Sequence, residues 1–167
     1  MTARRALLLA GLSAPVLSAC GFKLRQAPTF AFRSIYVAMP AASLLGTELK
    51  RQLAGTGQLE VITEASQRDK ADVILESLVD QRERVVVGVN ASGQVREFQL
   101  RVRFKFRVRT PAGKDVLPDA EILRQIDQSY SETAALSKEA EAQMLYQNMQ
   151  SDIVQQVMRR LATIIKL

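Results

Sequence analysis

Five cations in nine residues dominate any search for chemistry in this chain. In "RVRFKFRVR", residues 101–109, Arg101, Arg103, Lys105, Arg107 and Arg109 hold every odd position, with Val102, Phe104, Phe106 and Val108 between them. Strict alternation is the pattern of a β-strand, because successive side chains leave opposite faces of a sheet. One face would be apolar. The other would be a row of guanidinium and ammonium groups, suited to holding phosphates or carboxylates through charge-assisted hydrogen bonds. Covalent catalysis is poorly supplied: the 167 residues include no histidine and one cysteine, Cys20. Without imidazole the usual nucleophile–base pairs are missing, and Asp115 and Asp119 read as loop carboxylates. The chain therefore reads as a non-enzyme with no metal and no cofactor.

Cys20 points to another chemistry. The stretch "MTARRALLLAGLSAPVLSAC" has a basic start at Arg4 and Arg5 and an apolar run from Ala6 to Val16. That run is too short, and too interrupted by Gly11 and Pro15, to span a membrane, so it reads as a secretory signal. Leu17-Ser18-Ala19-Cys20 resembles the lipobox of bacterial lipoproteins, in which the cysteine thiol accepts a diacylglyceryl group. Cleavage would remove residues 1–19 and leave Cys20 as the lipidated first residue. Two or more acyl chains suffice for stable anchoring, so the mature chain would be anchored to its membrane, not spanning it. Gly21, in place of aspartate, implies by the same resemblance passage to the outer membrane, with the body on the periplasmic side. Arg4 and Arg5 leave with the signal and lower the formal net charge of +6 by two. The basic body that remains suggests anionic partners.

The elements that must position the cationic row can be read from periodicity. Residues 20–33 form a tether, and 34–167 form one domain. "SIYVAMP" (34–40) is a short strand. Leu45, Leu49 and Leu53 recur at i, i+4 and i+8 on one helical face, with Ser43 as N-cap and Gly55 as the stop. "LEVIT" (59–63) is a second strand. Residues 71–89 and 94–110 are two long strands joined by Asn90-Ala91-Ser92-Gly93, a hairpin turn in which Gly93 supplies a positive φ. A fourth run, 121–130, continues the meander.

Val73, Leu75, Val79, Val85, Val87 and Val89 lie at odd positions of the first hairpin strand, whereas the apolar set of the second lies at even positions. For both sets to share a face, facing residues must sum to about 183. This register sets Glu76 opposite Arg107, Asp80 opposite Arg103 and Val79 against Phe104. It leaves Arg101, Lys105 and Arg109 without an acid opposite and puts Arg82 and Arg84 on their side. Part of the row would then be a salt ladder, and its surplus cations would be free for an anionic ligand or a partner surface.

The last element is a long helix opening near Ser137, with Glu139 and Glu141 at its positive end and Arg159 and Arg160 at the other. Ala142, Tyr146, Met149, Ile153, Val157, Leu161 and Ile164 trace one apolar stripe along it, as core packing requires.

In this order the parts resemble the LptE family of lipopolysaccharide-assembly lipoproteins. The resemblance is carried by the lipobox with "CGFKLR", by "SIYV" leading to "LKRQL", by "GQVREFQLRVRF" after the hairpin turn, and by "AALSKEAEAQML". It implies an α+β fold, a two-layer sandwich of a mostly antiparallel four- to five-stranded sheet with two helices packed on one face. It also implies a plug and assembly partner inside an LptD-like outer-membrane β-barrel, assisting lipopolysaccharide to the outer leaflet. The family's glycolipid-contacting cations lie near the hairpin tip and at the start of the last helix. Lys138 matches the second place. At the tip this chain has Asn90, Ala91 and Ser92, and Arg96 is the nearest cation. The candidate lipopolysaccharide contacts are thus Lys138, Arg96 and the row Arg101, Arg103, Lys105, Arg107 and Arg109.

Two other classes fit the sequence less well. A nucleic-acid ribbon is disfavoured because Phe104 and Phe106 alternate with the cations onto the opposite face, and because the signal exports the chain. An envelope lipoprotein serving as an interaction module without glycolipid affinity shares every feature except the surplus charge. The anchor itself is testable: Cys20→Ala should accumulate as an unlipidated precursor in the inner-membrane fraction. Mass spectrometry finding an unmodified Cys20 in the wild-type protein would contradict the lipoprotein reading.

Overall fold

The computed structural model describes residues 28–167; Cys20, the signal and most of the tether lie outside them. Five strands form one sheet: β1 (Ser34–Ala38), β2 (Glu60–Ile62), β3 (Val73–Val89), β4 (Val95–Arg109) and β5 (Asp115–Ser129), in the order β2-β1-β3-β4-β5. β1 pairs parallel with both β2 and β3, while β3, β4 and β5 form long antiparallel ladders. Two helices, α1 (Leu44–Gly55) and α2 (Ala135–Ala162), pack on one face. This is the α+β sandwich expected. No helix among the described residues is long and apolar enough to cross a membrane.

Each helix forms for a local reason. The Ser43 hydroxyl accepts from the Gly46 N–H at 2.9 Å and caps α1, whose Leu45, Leu49 and Leu53 are buried. Ala142, Tyr146, Met149, Ile153, Val157 and Leu161 of the expected stripe are buried on α2, and Ile164 is buried just past the end of the helix. Ser137 is not its N-cap. A short 3₁₀ turn, Glu132–Ala134, feeds straight into the helix at Ala135, and the Ser137 hydroxyl donates back to the Ala134 carbonyl. Between the helices lies a polar seam. Glu48 accepts from Gln150 and Ser151, and Gln155 donates to Gln52, so the two helices run parallel.

β4 forms the floor of the core. Leu100, Val102, Phe104, Phe106 and Val108 are at most 2% exposed, and the rings of Phe104 and Phe106 stack at 5.3 Å between centroids. Packing reaches back before β1, because Phe32 is buried and Phe30 touches it. Ile74 is fully buried yet lies on the face away from the helices. The β2–β3 connection, residues 65–70, must cross β1, and the right-handed rule for parallel crossovers puts it on that face, opposite α1.

β3 departs from the expected register. Glu76 does face Arg107, but a bulge between Ser77 and Val79 inserts Leu78 and inverts the phase. Val79 therefore faces Lys105, not Phe104, and Asp80 faces Phe104, not Arg103. A second irregularity near Val87 leaves Val86, Val87 and Val89 about half exposed, so the odd-numbered valines are not one buried set. β5 also begins earlier than periodicity suggested, because Asp115 to Ala120 pair with β4 despite Pro118. An edge strand tolerates a proline, and the bulge opposite Arg107 falls in this stretch.

Candidate functional site

The face of the sheet away from the helices carries the cationic row, and β3 and β5 flank it with acids. Glu76 accepts from Arg107 Nε at 2.8 Å and from Arg109 Nη2 at 2.6 Å. Lys105 pairs with Asp119 at 2.9 Å. Arg101 lies opposite Glu83 and donates to Gln99, which in turn donates to Asp127. Arg103 is the least satisfied: Glu121 is 3.9 Å away, and its buried Nε has no hydrogen-bond partner. Three carboxylates, Glu76, Asp119 and Glu121, thus pair with four of the five cations, while Glu83 and Asp115 lie opposite Arg101 and Arg109 in the register. The expectation that Arg101, Lys105 and Arg109 lack acids opposite is corrected. The phase change brings Glu83 to this face, and the early start of β5 makes Asp119 a strand residue instead of a loop carboxylate.

The same phase change removes two cations from the row. Arg82 and Arg84 lie on the helix side, where the Arg82 guanidinium sits 4.0 Å over the Tyr146 ring and that of Arg84 sits 3.9 Å over Phe98. Arg84 also bonds Glu139 at 2.8 Å, and the Tyr146 hydroxyl donates to the Glu83 carbonyl at 2.6 Å. Burial raises the Tyr146 phenol above its usual range, against the pull of Arg82 and Arg84. Bonds from Gln143 and then Arg84 lower the Glu139 carboxyl.

Lys138 and Arg96 lie at the same end of the sheet as the hairpin turn. Gln128, 2% exposed, donates to the Lys138 carbonyl and fixes the first turn of α2 against β5. The Lys138 ammonium bonds Glu141 at 2.7 Å and the Ser129 hydroxyl at 3.2 Å. That bond from Lys138 lowers the Glu141 carboxyl. The Arg96 carbonyl accepts from Tyr130 N–H, and its side chain borders a cavity of about 120 Å³ beside Ser131 and Thr133. Its guanidinium has no ion pair among the described residues. The turn beyond is tied by Asn90, whose side-chain oxygen accepts from the Ser92 and Gln94 N–H groups, and Gly93 takes φ +80° as expected. The described residues hold no cluster suited to a metal ion.

Known proteins with this arrangement are informative. Residues 32–161 match the family LptE, described as Lipopolysaccharide-assembly. The chain belongs to the LptE family. The LPS-assembly lipoprotein LptE of Yersinia pestis (strain Pestoides F) is 29% identical over 161 residues, 94% of this chain and 75% of that one. The solution NMR structure of an uncharacterized lipoprotein B from Nitrosomonas europaea superposes with a TM-score of 0.71 at 31% identity, covering 85% of this chain and 90% of that one. The rare lipoprotein B from Shewanella oneidensis shares the fold, with a TM-score of 0.62 at 19% identity over 78% and 95% of the two chains. Membership in LptE makes this chain an envelope lipoprotein of lipopolysaccharide assembly, and no catalytic activity belongs to that role.

For an LptE-family chain the aromatic-backed pair Arg82 and Arg84 was the feature that alternation missed. A signal was present. Leu78 and Val79 are adjacent apolar residues between the polar Ser77 and Asp80, and such a slip within a strand can mark a bulge.

The Glu76 pair gives a stability prediction. The hydrogen bond from Arg109, aided by Arg107 and opposed by burial, holds the Glu76 carboxyl below the usual glutamate range. A lowered folded-state value means that the stabilisation is full above the unfolded glutamate value and disappears as pH falls through the folded one. Glu76→Gln should cost about 1–2 kcal/mol at pH 7 and flatten the acid limb of the stability profile. Urea melts at pH 7 and pH 3 measure this; an equal loss at both would contradict the pairing.

Proposed function

We propose that this chain is an outer-membrane lipoprotein, anchored through lipidated Cys20 on the periplasmic side. It plugs an LptD-like β-barrel, takes part in that barrel's assembly, and helps lipopolysaccharide reach the outer leaflet. The observation that carries the reading is the acid-flanked open face. A broad strand surface whose cationic row lies between carboxylates on both neighbouring strands is too polar to be an interior and too well paired to be a phosphate trap. It suits a large, wet protein interface such as the lumen of a barrel.

Glycolipid handling belongs at the other candidates, Lys138 and Arg96. The register places the starts of β1 and β3 at one end of the sheet and the hairpin turn, Arg96 and Lys138 at the other. β3 has 17 residues, so the two ends are about 50 Å apart. A chain anchored near β1 would thus present its phosphate-binding cations far from the anchor. No covalent step is needed for this role. The pairing of the row also favours a second reading, an envelope interaction module without glycolipid affinity.

Extraction in mild detergent tests the plug role. The chain should remain with a high-mass membrane protein through repeated washes, because a lumen interface buries much of a small domain's surface. Recovery as a lone small protein would sink the proposal.

A further inference from the structure

A groove runs between the first turn of α1 and the middle of α2, on the helix side and apart from the open face. Two adjoining cavities of about 280 and 290 Å³ compose it, and they share Leu44, Arg82 and Gln150. Val102 and Asp80 lie at its floor, and Leu44, 63% exposed, forms its lip. Its acids are already engaged. Asp80 accepts from the Ser43 hydroxyl at 2.6 Å, and Glu48 accepts from Gln52, Gln150 and Ser151. Its cations are not: Arg82 and Arg51 both line the groove, and neither has an ion pair among the described residues.

Arg82 is also held ready for a ligand. Stacking 4.0 Å over Tyr146 and one bond to Gln143 at 3.2 Å fix the plane of its guanidinium, and its remaining donors are uncommitted. A planar fork immobilised in this way suits bidentate capture of a carboxylate. Beside it, Gln147 has both amide atoms free and Gln150 keeps its oxygen free, so the wall offers a donor and acceptors to a peptide main chain. The 143-to-147 step along α2 rises about 6 Å, close to the two-residue repeat of an extended strand.

We propose that this groove docks an extended acidic segment of a protein partner, with one carboxylate on Arg82 and Arg51 and the main chain along the glutamines of α2. Two guanidiniums without an ion pair among the described residues, one of them fixed by its stack on Tyr146, select a carboxylate-bearing occupant, because the Asp80 and Glu48 carboxylates are held by Ser43, Gln52, Gln150 and Ser151 instead. The site is distinct from the Lys138–Arg96 end, so it stands or falls independently of glycolipid binding.

Fluorescence anisotropy with the full mature protein in detergent micelles tests it. The probe is a fluorescein-labelled eight-residue peptide alternating Glu and Thr, compared with its twin alternating Gln and Thr. The acidic peptide should bind at least tenfold more tightly than the twin. Arg82→Gln should weaken it at least fivefold, and Arg101→Gln, on the open face, should leave it unchanged. Equal binding of the twin, full binding by the Arg82 variant, or equal loss in the Arg101 variant would overturn the proposal. So would displacement by inorganic phosphate at the peptide's own concentration, which would make the groove a phosphate site. A thermal melt checks folding of the Arg82 variant. Should that variant unfold, Arg51→Gln, which leaves the Tyr146 stack intact, must produce the loss instead.

Discussion

One residue more in β3 than the facing strand needs, Leu78, decides which side chains of the long hairpin look toward the helices and which look outward. Below it, Val73 and Leu75 enter the core while Ile74 and Glu76 turn away. Above it the parity is reversed. Glu83 joins the open face and meets Arg101, while Asp80, Arg82 and Arg84 pass under the helices. Without the bulge the open face would gain Arg82 and Arg84 while Asp80 merely took the place of Glu83 there, so its cations would outrun the acids beside them. The helix side would lose the cations that stack on Tyr146 and Phe98. Two surfaces of opposite character thus depend on a single inserted residue.

Much of the architecture was legible because it rests on long, strongly periodic stretches. The α2 stripe and the alternation of β4 each repeat over many residues, so a local exception cannot hide them. Ser43 and Gly93 were legible as well, since a cap and a left-handed turn each demand a particular residue type. Register was not. Parity counts assume an unbroken pleat, and a single bulge moves every later side chain to the other face. The acids of β5 escaped for a related reason: Pro118 argues against a strand, and only the edge position, with no hydrogen-bonded neighbour beyond β5, makes it acceptable.

The charge distribution divides the molecule by task. On the open face Lys105, Arg107 and Arg109 are held by close carboxylates and Arg101 and Arg103 lie beside others, so the strand surface presents alternating polarity to whatever surrounds it. At the hairpin end Arg96 stands free and Lys138 is held by a single exposed carboxylate, which an incoming phosphate could replace at little cost. In the proposed function, the acid-flanked face would meet a protein partner and the looser cations would hold a phosphorylated glycolipid.

Titration of purified lipopolysaccharide into two double variants tests that division most directly. Arg101→Gln with Lys105→Gln removes charge from the acid-flanked face, and Arg96→Gln with Lys138→Gln removes it from the hairpin end. At low salt the first pair should bind like the wild type and the second at least tenfold more weakly, with unchanged thermal melts. Weakened binding in the first pair and full binding in the second would contradict the account.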